Sequence, residues 1–491
     1  MSVKQSGQVF TPHYLVCNIL DTAKYFGKDI LQKHAIDNSC GNGAFLCEIV
    51  NRYCKEFLNT NTDKELLKVE LQSYIHGVEI DEVAFNNCIS NLDQITNGYG
   101  ITKVKWDILN DDTLKVSQFN ETMDYVIGNP PYVRVHNLEK QYTEVKKHRF
   151  AGSGMTDLFL VFFEIGLNML KTGGRLCYIT PSSWLSSVAG EQLRNYIYSY
   201  RNLLELIDLE HYQAFEGATT YTLISLFEKG RRNDVFVYSR YNESLRQKGK
   251  IAQLKFEEAF IDNCIYLADN QSLRMLQNIK KGIIGKYASV KNGFATLADN
   301  VFIKDKFPFE EFIIPIIKAS TGKWSKAFYP YDKQGKAYPQ NKIFENQDVA
   351  NYLYEHKTTL LKNGNEKSNP EWYLYGRTQA LKDVWTDKYA INTCIKDINS
   401  IKLNKVPAGS GLYSGLYITT SVQEETLRNI IECKDFIEYI SMLKKYKSGG
   451  YYTFSSKDLE LYINYKIEET KNYGNETNEP RILNGNFTII W

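Results

Sequence analysis

The sequence predicts an α/β protein: a mostly parallel sheet with helices on both faces in the first half, then a second domain of mixed α+β type. Three observations predict it. Short apolar segments alternate with amphipathic ones as far as about residue 230, the pattern of strand–helix units that build such a sheet. Acids and glycines stand where successive apolar segments stop, and open parallel sheets bind ligands outside those carboxyl ends, near the switch in strand order. Beyond residue 230 the alternation gives way to short β-like pieces rich in aromatics and lysines. A chain of 491 residues is long enough for two or three domains.

Each element follows in order. Residues 35–53, AIDNSCGNGAFLCEIVNRY, read as a short strand, a glycine turn and an amphipathic helix. Residues 74–92, YIHGVEIDEVAFNNCISNL, repeat the plan, and VKWDIL (104–109) is the end of a third strand. In DYVIGNPPY (124–132), Tyr125, Val126 and Ile127 make a buried strand that Gly128 ends. DLFLVFFEIGLNMLKTGG (157–174) is a helix expected to close on a glycine C-cap before the strand RLCYITP (175–181). LLELIDLE (203–210) and TYTLISLFEK (220–229) complete the set. The polar, basic stretch RRNDVFVYSRYNESLRQKGK after residue 230 reads as a linker region, so the expected domains are 1–235 and 236–491.

Composition narrows the function classes. Hydrophobic residues make up 43% and charged residues 24%, as in an ordinary soluble globular chain. MSVKQSGQVF has no apolar signal-peptide core, and no run of 18 apolar residues exists, so no membrane association is expected. Nine cysteines without a CxxC pair suggest a reducing, cytoplasmic setting and no metal site. The net charge of +2 conceals an asymmetry: residues 1–230 carry 21 Lys+Arg against 27 Asp+Glu, and the remainder 38 against 30. A basic second half suits a polyanionic partner.

Four strand ends carry chemistry. Asp37 opens the turn DNSCGNG, whose glycines let backbone amides approach a ligand. Glu79 ends the second strand, where a carboxylate accepts from two ribose hydroxyls. Asp107 ends the third strand, placed to accept from the exocyclic amine of a purine. At the fourth, Asn129 is pushed into an extended conformation by the proline after it, and Pro130 and Pro131 stiffen the loop that presents Tyr132. Together these ends suit an adenosyl ligand lying across them.

In this order the motifs resemble the γ-class N6-adenine DNA methyltransferases of restriction–modification systems. The resemblance runs through GQVFTP (7–12), DNSCGNGAFL (37–46), GVEID (77–81), WDIL (106–109), IGNPPYV (127–133), DLFLVFFE (157–164), GGRLCYITPSSWL (173–185) and AFEGATTYTLISLFEK (214–229). KNGFATLADNVFI, KAS and YGRTQAL, further on, look like the family's C-terminal target-recognition domain. One departure is Asn38, where the family usually has proline; the turn is expected to loosen slightly.

The resemblance implies a Rossmann-like S-adenosylmethionine-dependent methyltransferase domain with a DNA target-recognition domain after it. Thr11 would contact the methionine portion of the cofactor, with Asp37, Ser39, Cys40, Gly41 and Gly43 around it. Glu79 would hold the ribose, Ile80 pack on the adenine, and Asp107, beside Ile108, accept from its amine; Phe162 would border the same ring. Asn129 and the Pro130 carbonyl would each accept one N–H of the target amine, with Pro131 holding the loop. The adenine must leave the duplex to be reached, and Tyr132 and Phe215 would then cover its two faces. Double-stranded DNA is the expected partner of a monomer, with a cognate endonuclease acting separately rather than fused. Three other readings share some of these features: protein-glutamine methyltransferases, rRNA methyltransferases, and a catalytically silent DNA-binding specificity subunit. The first two are shorter and lack both GQVFTP and a large basic second half; the third leaves the intact motifs without a use.

Overall fold

Asp37 and Asn129, which are 92 positions apart, come together because their strands are neighbours. The computed structural model describes residues 11–134, 142–154, 156–215, 220–244, 246–281, 284–362 and 371–476. The chain divides into two compact units, Met1–Arg274 and Met275–Trp491. Residues 7–10 of GQVFTP and 216–219 of AFEGATT lie outside the described residues.

The first unit holds a nine-stranded sheet formed by β1 (Ala35–Asp37), β2 (Ile75–Val78), β3 (Asp107–Leu109), β4 (Met123–Gly128), β5 (Leu170–Pro181), β6 (Leu203–Asp208), β7 (Thr222–Glu228), β8 (Val235–Asn242) and β9 (Gln247–Lys255). Their spatial order is β3-β2-β1-β4-β5-β7-β6-β8-β9. β3 through β5 run parallel, and β7 lies antiparallel between β5 and β6. The order reverses between β1 and β4, so a crevice opens at their carboxyl ends. Every residue of β1, β2 and β4 is buried, as expected of strands covered on both faces.

The helices that position the site are α1 (His13–Ala23), α2 (Ala44–Leu58), α3 (Lys64–Tyr74), α4 (Glu82–Gly98), α5 (Leu158–Met169) and α6 (Glu191–Tyr200). Aspartate side chains cap two of them. Asp63 accepts from the amides of Glu65 and Leu66 at α3, and Asp81 accepts from the Ala84 amide at α4, satisfying donors that a helix start leaves open.

Two local expectations are corrected. α5 ends at Met169 rather than on a glycine cap: Leu170 is already extended and pairs with Met123, so Gly173 and Gly174 fall inside the β5 run. Sheet pairing overrides the glycine stop signal. Residues read as a linker form the β8–β9 edge hairpin, with β8 parallel to β6. The unit that contains the sheet therefore extends past the division expected at 235/236, to Arg274.

The second unit is mixed α+β. Ala288–Asn292, Leu416–Thr420, Lys388–Ile391 and Leu403–Val406 form an antiparallel four-stranded sheet. A second sheet joins Ile303–Lys304, Lys323–Phe328, Ile313–Lys318 and Gly411–Tyr413. Buried aromatics, among them Phe294, Phe302, Phe328 and Tyr375, fill the core beside it. Among the described residues, no helix is long and apolar enough to cross a membrane.

Candidate active site at the carboxyl ends of the sheet

The turn after β1 is tied to the end of β2. Glu79 is buried, and its two carboxylate oxygens accept from the Gly41 amide at 2.8 Å and the Asp81 amide at 2.8 Å. The Cys40 amide donates to the Val78 carbonyl at 3.0 Å. Gly43 starts α2 at a φ of +88°, and a Cβ there would stand 2.8 Å from Cys88 Sγ. A side chain is excluded on both counts. Cys40 is buried, and Ile80 is 55% exposed beside Glu79, an unusual state for an isoleucine at a strand end.

Asp37 joins this turn to the Asn-Pro-Pro-Tyr loop. Its carboxyl accepts from the Ser39 amide at 3.1 Å. The same Oδ1 packs so close to Gly128 that a Cβ there would lie 2.5 Å away; only glycine admits the carboxyl at that point. Burial pushes the Asp37 carboxyl up to about 7, opposed by the Ser39 hydrogen bond and reinforced by the negative charge of Glu79.

Asn129 follows directly. Its Nδ2 donates to Thr11 Oγ1 at 3.1 Å, and Ser39 Oγ donates to its backbone carbonyl at 3.4 Å. Thr11, just before α1, thereby orients the amide, with the nitrogen arm on the threonine. Tyr132 donates its hydroxyl to the Ile179 carbonyl at 3.2 Å. Its ring meets Phe159 of α5 edge-on, at 6.3 Å and 78°.

Several expectations are revised by these contacts. Asp107 begins β3 rather than ending it; it pairs in register with His76, and its carboxylate lies 2.6 Å from His76 Nδ1. Burial lowers the His76 imidazole, an effect the Asp107 hydrogen bond opposes. The carboxyl end of β3 carries Asn110 instead, whose Nδ2 donates to the Glu79 carbonyl at 2.9 Å. Ile108 is buried between them, packed against the Cα of Gly77.

Asn38 does not loosen its turn. Fully buried, it accepts from the Tyr178 hydroxyl at 2.8 Å through Oδ1, and its carbonyl accepts from Thr113 Oγ1 at 2.6 Å. These bonds do the restraining that a proline ring would do covalently.

Phe215 and Tyr132 meet each other, with ring centroids 6.1 Å apart at 71°. This edge contact leaves no slot between parallel faces, and Phe215 is only 3% exposed, within the core. Phe162 is likewise buried in α5. Phe159, its neighbour one turn earlier, is the ring that reaches Tyr132; helix periodicity puts both on one face and cannot choose between them.

In the second unit, KNGFAT and YGRTQAL are drawn together. The Gly376 amide donates to the Thr296 carbonyl at 3.0 Å, and Gln379 Nε2 donates to the Gly293 carbonyl at 2.7 Å. An open groove of about 460 Å³ runs along them, lined by Lys291, Asn292, Thr378, Gln379 and Lys382 among others.

Comparison with known proteins agrees with this architecture. Residues 46–215 match the family model described as Eco57I restriction-modification methylase. The chain is 22% identical to the type II restriction enzyme and methyltransferase RM.Eco57I of Escherichia coli, over 78% of this chain and 48% of that protein. It is 24% identical to the type II methyltransferase M.BstVI of Geobacillus stearothermophilus, over 76% of this chain and 74% of that one. The chain thus spans about half the length of the Escherichia coli relative. Its fold resembles the type IIL restriction-modification enzyme MmeI solved with DNA, with a TM-score of 0.60, 13% identity, and coverage of 95% of this chain and 68% of that one. It also resembles the type ISP enzyme LlaGI, at 0.52 and 13%, over 97% of this chain and 48% of that one.

S-adenosylmethionine is the cofactor of this methyltransferase fold, and the residues present fit it. Glu79 is an acceptor fixed at the end of β2, Ile80 offers an exposed apolar face, and nothing stands within 4 Å of where a Gly41 side chain would be. Asp37 adds a buried carboxyl beside the same turn. By strand order, motif positions and these matches together, the chain resembles the Eco57I-type restriction-modification methylases, whose family model it matches over residues 46–215.

Proposed function

We propose that the protein is a site-specific DNA methyltransferase that modifies N6 of an adenine flipped out of double-stranded DNA. The observation that carries this reading is Asn129, held by Thr11 at the carboxyl end of β4 and joined to the cofactor turn through Ser39 and the Asp37–Gly128 contact. Bound S-adenosylmethionine would supply an electrophilic methyl group on its sulfonium. The protein's task is to make the adenine amine nucleophilic, since its lone pair is delocalised into the ring. Asn129 Oδ1 and the Pro130 carbonyl would each accept one N–H, drawing nitrogen toward tetrahedral geometry. Positive charge develops on that nitrogen during transfer, and two preplaced oxygens stabilise it. Pro130 and Pro131 restrict the loop, so little ordering remains to be done at that moment.

Thr11, Asp37, Ser39, Cys40, Gly41 and Gly43 would surround the methionine portion, and Glu79 and Ile80 the adenosyl portion. The adenine amine of the cofactor would be met at the end of β3, where Asn110 now stands as a candidate beside Asp107 and Ile108. Tyr132 would stack on the target base, and the opposite wall would form only if Phe215 moved off Tyr132. The Lys291–Lys382 groove of the second unit offers amide and ammonium donors suited to base edges and phosphates, so DNA recognition is assigned there. The enzyme would act as a monomer in the cytoplasm, protecting DNA from a separate endonuclease.

Native DNA sequencing after expression in a methylation-free host tests this reading: N6-methyladenine at one recurring sequence is expected. Asn129→Ala should reduce single-turnover transfer by about 10²–10³-fold while cofactor affinity holds. Transfer by the variant at the unaltered rate would sink the mechanism.

A further inference from the structure

We propose that His13, Cys17 and Glu48 bind one divalent cation of the zinc class at a site separate from the methyl-transfer centre. Their potential ligand atoms all lie within 4.8 Å of one another. His13 and Cys17 are four residues apart on α1 and so share a face; Glu48 comes from the first turns of α2. His13 Nε2 lies 3.3 Å from Glu48 Oε2 and 3.7 Å from Cys17 Sγ.

The two spacings to His13 Nε2 match the edges of a tetrahedral ion. With metal–nitrogen and metal–oxygen bonds of about 2.0–2.2 Å and a metal–sulfur bond of about 2.3 Å, tetrahedral N···O and N···S edges are about 3.4 and 3.6 Å. The set of one thiol, one imidazole and one carboxylate suits zinc and its first-row neighbours, whereas magnesium and calcium take oxygen ligands.

The surroundings already hold the carboxylate for this role. Arg52 Nε donates to Glu48 Oε1 at 2.9 Å, and Asn51 Nδ2 donates to Oε2 at 3.1 Å. Such outer partners orient a ligating carboxylate. The guanidinium also pairs with Asp21 at 2.6 Å, so its charge is shared between two acids and opposes a cation less. On binding, the Cys17 thiol would release its proton to solvent as sulfur bonds the metal, and the ion would replace the His13–Glu48 hydrogen bond. The His13 side chain is 76% exposed, which leaves the fourth position to water. The ion would staple the amino end of α1 to α2, two residues from Thr11.

Cobalt(II) titration of the full chain tests the site, because tetrahedral thiolate ligation gives visible d–d bands and a near-ultraviolet sulfur-to-cobalt charge-transfer band. One equivalent should develop both, and zinc should bleach them. Cys17→Ser should abolish the charge-transfer band, His13→Gln should abolish stoichiometric binding, and Cys394→Ser, at an exposed cysteine, should change neither. No band at one equivalent, or a band that survives Cys17→Ser, would overturn the proposal. Should Cys17→Ser fail to fold by circular dichroism, the exposed His13→Gln variant decides alone, and a band retained there overturns it.

Discussion

In its proposed role, Asp37 would link protonation to cofactor binding through one side chain. Its ionisation is pushed up to about 7 by burial, well above the roughly 3.9 of a free aspartate. A raised carboxyl contributes stability that is fully present below about pH 4 and lost as pH rises through about 7. In its proposed role Asp37 would meet the cationic methionine portion in its charged form, so below about pH 7 each bound ligand would displace a proton. Affinity for S-adenosylmethionine is therefore expected to rise up to about tenfold per pH unit below 7 and to flatten above it. Calorimetric titration across this range checks it, and Asp37→Asn should flatten the profile. Phe215 makes a second prediction at this scale. As a core residue in edge contact with Tyr132, its replacement by alanine should destabilise the fold by about 3–5 kcal/mol, measured by urea unfolding. A variant as stable as the parent would return Phe215 to the role of a free base-stacking wall.

At the scale of elements, the turn between β1 and α2 depends on strands on both sides of it. Glu79 secures it from β2, and Tyr178 of β5 secures it through Asn38. Tyr178→Phe keeps the ring and removes only the hydroxyl, leaving a fully buried amide oxygen without that donor. The expected cost is about 1–3 kcal/mol of stability, together with weaker cofactor binding as the turn loosens. Unchanged urea midpoints would show that Thr113 and the helix start suffice to hold Asn38. The edge hairpin belongs to this scale too: β8 bonds β6 in parallel and β9 closes it, so both strands are part of the sheet.

For the whole molecule, this pairing determines where the chain can be cut. A fragment ending near residue 240 would break β8 and lose β9, exposing the edge of β6. A fragment ending at Arg274, the limit of the first unit, should fold, bind S-adenosylmethionine and lose sequence-specific DNA affinity, since the proposed base and phosphate contacts lie in the second unit. Gel shifts and calorimetry on the two fragments check both halves. Specific retardation of DNA by the 1–274 fragment would overturn the division of labour.

The order of strands and helices, the crevice and the stiff Asn-Pro-Pro-Tyr loop were legible in the sequence, because apolar periodicity, proline's fixed φ and glycine's freedom are properties of neighbouring residues. Glu79 was legible for the same reason: it stands one residue past a buried strand, wherever that strand pairs. Tertiary structure alone decided that Asp107 faces His76, because β3 is three residues long and only its register with β2 says which residue reaches the carboxyl end. It also decided that Asn38 is locked by Tyr178, that Phe215 meets Tyr132, and that an apparent linker completes the sheet. Each of these depends on a partner far away in the chain, and no local preference of the backbone encodes which distant group will fill a given space.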